Sequence, residues 1–185
     1  MKTKLISIIL LVLLISGIQL YAQTNEKKIL VAYFSHSGNT RAVAYDICKK
    51  VDGEFFEIKT VKPYPTDYDA VVDLAKRELK SDSRPELKNR LKNIRQYDII
   101  FIGYPDWWDT YPQAIKVFLS QYDFSGKTII PFCTHEGSGF GNSLFDLKKI
   151  CPKSKILEGI AIRGSAAHNS DDQIEEWLKK LKLIN

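Results

Sequence analysis

The sequence predicts one doubly wound α/β domain, a mostly parallel five-stranded sheet with helices on both faces. Five β-rich apolar runs alternate with amphipathic helical stripes along the chain, the pattern of a parallel sheet with helical crossovers. The runs lack a period of two, which marks strands buried on both faces. The loops richest in glycine, hydroxyl and aromatic residues come after the first, third and fourth runs. Right-handed crossovers bring such loops to the carboxyl edge of a sheet, where ligands lie.

The first strand is read at Lys28–Phe34. Ala44, Ile47, Cys48 and Val51 then repeat at helical spacing, so Cys48 reads as a small core residue. Glu54–Ile58 is the second strand. Pro63 and Pro65 interrupt the next stretch, because proline fixes φ and removes a donor. A helix is expected over Tyr68–Leu79, then a short irregular or helical stretch at Leu87–Ile94. Tyr97–Gly103 is the third strand. Thr110 with Gln113 suggests a capping box at the next helix, which packs through Ile115, Phe118 and Leu119. Lys127–Cys133 is the fourth strand, Thr134–Gly141 a glycine-rich loop and Asn142–Lys149 a helix. Ile156–Ile162 is the fifth strand and Arg163–Asn169 a loop. Ser170 with Gln173 opens the last helix, whose stripe is Ile174, Trp177, Leu178 and Leu181.

The N-terminus differs from the rest. Lys2 and Lys4 precede the 14 apolar-rich residues Leu5–Ile18, and the chain turns polar after Ala22. This is the order of a secretory signal, and a bilayer span needs about 20 residues. Residues 1–22 are therefore expected to be removed on export, leaving no stable membrane span. Residues 23–27 form a short linker and 28–185 the domain, in the periplasm or outside the cell. Loss of Lys2 and Lys4 lowers the net charge from +5 to +3. So mild and dispersed an excess gives no reason to expect nucleic acid. Cys48, Cys133 and Cys151 have neither disulfide-scaffold nor metal-knuckle spacing, so no metal is expected.

Three loops carry chemistry. Ser35, Ser37, Asn39 and Thr40 offer donors around Gly38, just where a helix begins with free N–H groups and a positive dipole end. By itself this fits an ordinary strand-to-helix turn as well as an anion site, and its position after an apolar first strand favours the anion site. It lacks GxxxxGK and GxGxxG, which favours one terminal phosphate over a diphosphate. His36 reads as a spacer or ligand edge rather than a base. Pro105, Asp106, Trp107 and Trp108 come after the third strand, where adjacent indoles would reward a flat heteroaromatic ligand. Thr134, His135, Glu136, Gly137 and Gly139 form the third group. Ser138 is no hydrolase elbow, because residue 136 is Glu where that motif has Gly. Arg163 reads first as a surface arginine, with ordering of the third loop or contact with an anion as the alternatives. No side chain stands out as proton donor or nucleophile, so no catalytic set is named.

In this order the segments Ser35-His36-Ser37-Gly38-Asn39-Thr40, Tyr104-Pro105-Asp106-Trp107-Trp108 and Thr134–Gly141 resemble the loops of flavodoxin-like proteins, over roughly residues 28–182. The resemblance implies a flavodoxin-like sheet of order 2-1-3-4-5 and FMN as cofactor. It places the phosphate at Ser35–Thr40, with the flavin ring between the aromatic loop and Thr134, Gly137 and Gly139. The implied function is electron transfer with a redox partner protein, or reduction of a small acceptor. An FMN-dependent NAD(P)H or quinone reductase and a non-redox binding module stay open as alternatives, as does a homodimer. Where many relatives carry a glycine after the aromatic segment, this chain has Asp109. Two-electron behaviour is therefore expected over one-electron behaviour.

Overall fold

The computed structural model describes residues 27–185, so the expected signal at 1–22 and residues 23–26 of the expected linker lie outside the described residues. The elements are β1 (Ile29–Tyr33), α1 (Asn39–Val51), β2 (Glu54–Glu57), α2 (Tyr68–Ser81), β3 (Ile99–Pro105), α3 (Gln113–Ser120) and β4 (Thr128–His135). They are followed by α4 (Ser143–Ile150), β5 (Lys155–Ile156), β6 (Ile160–Arg163) and α5 (Asp171–Lys180), with short 3₁₀ turns at Ile94–Gln96 and Gly164–Asn169. Every strand pair is parallel and the order is β2-β1-β3-β4-β5, with β6 continuing beside β4. This is the doubly wound sheet expected from the alternation of runs.

Apolar runs without a period of two are explained by burial on both sides. Leu30, Ala32, Ile100, Ile102 and Ile129 face a core completed by Ala114, Ile115 and Phe118 of α3 and Leu147 of α4. Val31, Tyr33, Phe101, Ile130 and Phe132 face the other core, closed by Val43, Ala44 and Ile47 of α1 and Ile174, Trp177 and Leu178 of α5. Strand residues of both parities are thus removed from water. Cys48 packs at the margin of the second core, and its thiol donates to the Gly53 carbonyl at 3.0 Å. All three cysteines are free.

Three local expectations need correction. The fifth strand is broken between Ile156 and Ile160. Its register shifts by one residue along β4, from Ile129↔Ile156 to Phe132↔Ile160. The break lies opposite Pro131, which has no N–H to donate. At Gly159 an added methyl would lie 2.5 Å from the Pro131 carbonyl oxygen.

Thr110 does not cap the following helix. The helix starts at Gln113 with Pro112 at its N-cap, because the Thr110 backbone is used in closing a turn with Trp107. At α5, Ser170 is the N-cap, but its hydroxyl donates to Ala167 O at 3.1 Å and makes no capping bond.

Among the described residues no helix is long and apolar enough to cross a membrane, and no cluster of metal-ligating side chains is present.

Candidate functional site

The expected site residues gather at the carboxyl edge of the sheet, and Thr134 lies at their centre. It lies near the carboxyl end of β4, paired with Pro105 on β3 and Ile162 on β6. Its carbonyl accepts from Asp106 N at 2.8 Å, while its hydroxyl is 2.7 Å from that of Thr40. Both threonines are buried. Thr134 and His135 belong to β4 and Pro105 to β3, so the loops proper begin one or two residues later than the sequence suggests.

The first loop is shaped by Gly38, whose φ of 97° lies in a region that costs L side chains energy. The left-handed turn lets Ser35 Oγ accept from Gly38 N and Arg41 N, at 3.2 and 3.3 Å. The amides of Ser37, Asn39 and Thr40 find no acceptor among the described residues. They stand at the positive end of α1, which suits an anion. The His36 side chain turns out of this cradle, and its Nε2 donates to Pro65 O at 2.7 Å. A carbonyl only accepts, so Nε2 carries the proton.

The two indoles have different environments. Trp107 is half-buried and meets the rings of Tyr64, Phe34 and His36 edge-on, at centroid distances of 5.1, 5.6 and 5.8 Å. It braces the first loop against the Pro63–Pro65 segment. Tyr64 is held in turn by a 2.7 Å bond to Glu78 of α2. Trp108 is 43% exposed, donates from Nε1 to Val72 O at 3.1 Å and lies 4.5 Å beneath Lys76 Nζ. The segment from Tyr64 through α2 therefore walls the aromatic loop. Residue pattern alone did not show this, since Tyr64, Val72 and Glu78 carry no motif.

Trp107 and Thr110 exchange both backbone hydrogen bonds, with Trp108 at φ 57° and Asp109 at φ 60° between them. This is a two-residue type I′ turn, built without its usual glycine. Turning its central peptide over would give type II′, which demands glycine at the first central position. That position is Trp108. Asp109 would return to negative φ, so the constraint expected at Asp109 resides in Trp108.

The third loop is fixed from several sides. Ser138 Oγ donates to Asp106 Oδ2, Gly137 N donates to His135 Nδ1 at 3.0 Å, and Arg163 donates to Glu136 O at 2.9 Å. Arg163 thus orders this loop. Asp106 Oδ1 is buried without a partner. Burial pushes the Asp106 carboxyl above its ordinary range, Asp109 adds to the rise, and the Ser138 bond and His135 oppose it. Gly164, which belongs to none of the three loops, leaves room for two site side chains. A methyl there would lie 2.3 Å from Glu136 Oε1 and 2.8 Å from Asn39 Nδ2. Its place just after the fifth strand was the one signal of this role in the sequence.

Known proteins share this fold. The chain is 35% identical to a protein from Bacteroides eggerthii provisionally assigned as a flavoprotein, with TM-score 0.74, over 84% of this chain and 98% of that one. A similarly assigned protein from Bacteroides uniformis gives 35% identity and TM-score 0.75 over 83% and 98% of the two chains. A Lactobacillus acidophilus flavoprotein solved in complex with FMN shares the fold at 24% identity, with TM-score 0.67, over 82% and 98%. A search of curated proteins found no significant match. The family profile for flavodoxins matches residues 28–181, nearly the whole described chain, and the chain belongs to that family.

Proposed function

We propose that this protein is an exported flavodoxin that holds FMN at the carboxyl edge of its sheet and passes electrons to a partner protein or a small acceptor. The observation that carries the reading is the helix-end cradle at Ser37, Asn39 and Thr40, which adjoins two loops suited to a flat ring. Three free amides and a glycine at φ 97° suit a terminal phosphate. The orphaned Asp106 Oδ1 suits a ligand that brings N–H or O–H donors, and FMN has both on its ring and ribityl chain. Its likeness to the FMN-bound Lactobacillus protein agrees with this fit.

FMN supplies the electron chemistry when bound, and the protein contributes orientation and field. Ser35, Ser37, Gly38, Asn39 and Thr40 hold the phosphate end. Pro105, Asp106, Trp107 and Trp108 line one side of the ring site; His135, Glu136, Gly137 and Gly139 approach from the other. Trp107 is engaged in bracing, which leaves the partly exposed Trp108 as the indole that can meet a ligand.

The visible spectrum of the purified protein during stepwise anaerobic reduction tests this reading. A flavin spectrum should appear, and reduction should proceed in two-electron steps. Trp108→Gly, rather than Asp109→Gly, should shift the titration toward one-electron steps. Purification without chromophore, together with no binding of added FMN, would remove the reading. Bleaching by NADPH faster than that of free flavin would favour a reductase instead. Export has its own test. Protein made in a bacterium should lose about 22 residues and leave the cytoplasm, and an intact Met1 chain in the cytosol by mass spectrometry would overturn that assignment.

A further inference from the structure

We propose that Thr134 is a positioning residue for the phosphate cradle: its hydroxyl donates to Thr40 and thereby directs the hydrogen of Thr40 at the anion. This rests on the FMN reading above. It moves Thr134 from the ring end of the site, where the resemblance to flavodoxins places it, to the phosphate end.

The two hydroxyl oxygens are 2.7 Å apart, and the residues are 1% and 4% exposed. A hydroxyl has one hydrogen to give and two lone pairs. One threonine therefore donates to the other, and one hydrogen is left over. No carbonyl or carboxylate among the described residues takes that hydrogen from either side chain.

If Thr40 donated inward, Thr134 would keep a hydrogen with no acceptor, buried near the end of β4. Thr40 would meanwhile show only lone pairs to a negative ligand. The opposite order satisfies every group. Thr134 donates to Thr40, and Thr40 donates outward beside the free amides of Ser37, Asn39 and Thr40 itself. A hydroxyl that accepts one hydrogen bond also becomes a better donor for the next.

The scaffold is built to hold this polarity. Thr134 is fixed in register with Pro105 and Ile162, and its carbonyl is tied to Asp106 N at 2.8 Å. Its β-branched side chain has few rotamers to choose from. The Thr40 Cα is set by the first turn of α1, whose Val43, Ala44 and Ile47 are buried against the sheet. Neither oxygen can drift far from the other. The loop after β1 is thus aligned by a residue on β4, across the end of the intervening β3.

The experiment compares dissociation constants for FMN and riboflavin in the purified protein, by quenching of flavin fluorescence. Thr134→Val keeps the shape and removes the hydroxyl. It should weaken FMN about three- to tenfold while moving riboflavin less than about twofold. Thr134→Ser should restore the wild-type preference for FMN. Adding Thr134→Val to Thr40→Val should cost nothing further, because the two hydroxyls act as one chain. Equal weakening of both ligands, an unchanged preference for FMN, or additive losses in the double variant would overturn the proposal. If Thr134→Val does not fold, Thr134→Ala is read by the same ratio. A wild-type protein that binds riboflavin as tightly as FMN would instead overturn the phosphate cradle, and the inference with it.

Discussion

Thr40→Val should weaken FMN binding by about ten- to 150-fold and leave riboflavin within about threefold, since a hydrogen bond to a charged group contributes roughly 1.5–3 kcal/mol. Valine is the informative replacement because Thr40 is 1% exposed. Alanine would open a cavity and confuse packing with hydrogen bonding. The substitution also leaves Thr134 without its partner, a general cost that falls on both ligands alike. The FMN-specific part reports the outward hydrogen. Fluorescence titration of the two flavins separates these contributions. Equal loss for both would show that Thr40 serves the loop alone and never meets phosphate.

Gly141→Ala should damage stability and site together. Gly141 has φ 48°, and a methyl there would lie 2.5 Å from Asp109 O and 2.7 Å from its carbonyl carbon and Cα. These are backbone atoms of the type I′ turn and cannot swing aside. Left-handed alanine costs about 1–2 kcal/mol and relieving the clash about 1–3 kcal/mol more, so a total of about 2–5 kcal/mol is expected. For a domain of this size that lowers Tm by roughly 5–15 °C. The bond from Asn142 N to Asp109 O, 2.6 Å long, would be lost as the loops part. FMN affinity should fall with riboflavin affinity, in contrast to Thr40→Val, because the ring walls move and the phosphate cradle does not. An unchanged melting curve would show that the loops separate without cost.

Much of this molecule is local in origin and could be read along the chain. An apolar run such as Ile99–Ile102 forms a buried strand whatever lies elsewhere, because both of its faces must leave water. Ser35–Thr40 is legible for a related reason, since a glycine among hydroxyls at a strand-to-helix turn needs only its own backbone to expose free amides. Capping was less legible. Thr110 with Gln113 has the residues of a box, but the Thr110 backbone bonds Trp107 and its hydroxyl donates to Asp146 at 2.7 Å. The fifth strand read as continuous because its interruption arises on its neighbour, at Pro131.

The sequence by itself determined the parallel sheet, its order of elements and the three loops that meet at its carboxyl edge, because hydrophobic period and turn chemistry act over a few residues. Tertiary structure alone decided how those loops are used. It gave Trp107 to Phe34 and Tyr64, placed the constraint on peptide reversal at Trp108, fitted Glu136 and Asn39 against Gly164, and joined Thr40 to Thr134 across 94 residues of chain. The physical reason is range. Burial pattern is written in neighbouring residues, whereas a hydrogen-bond partner is chosen by whatever the folded sheet brings within 3 Å or so.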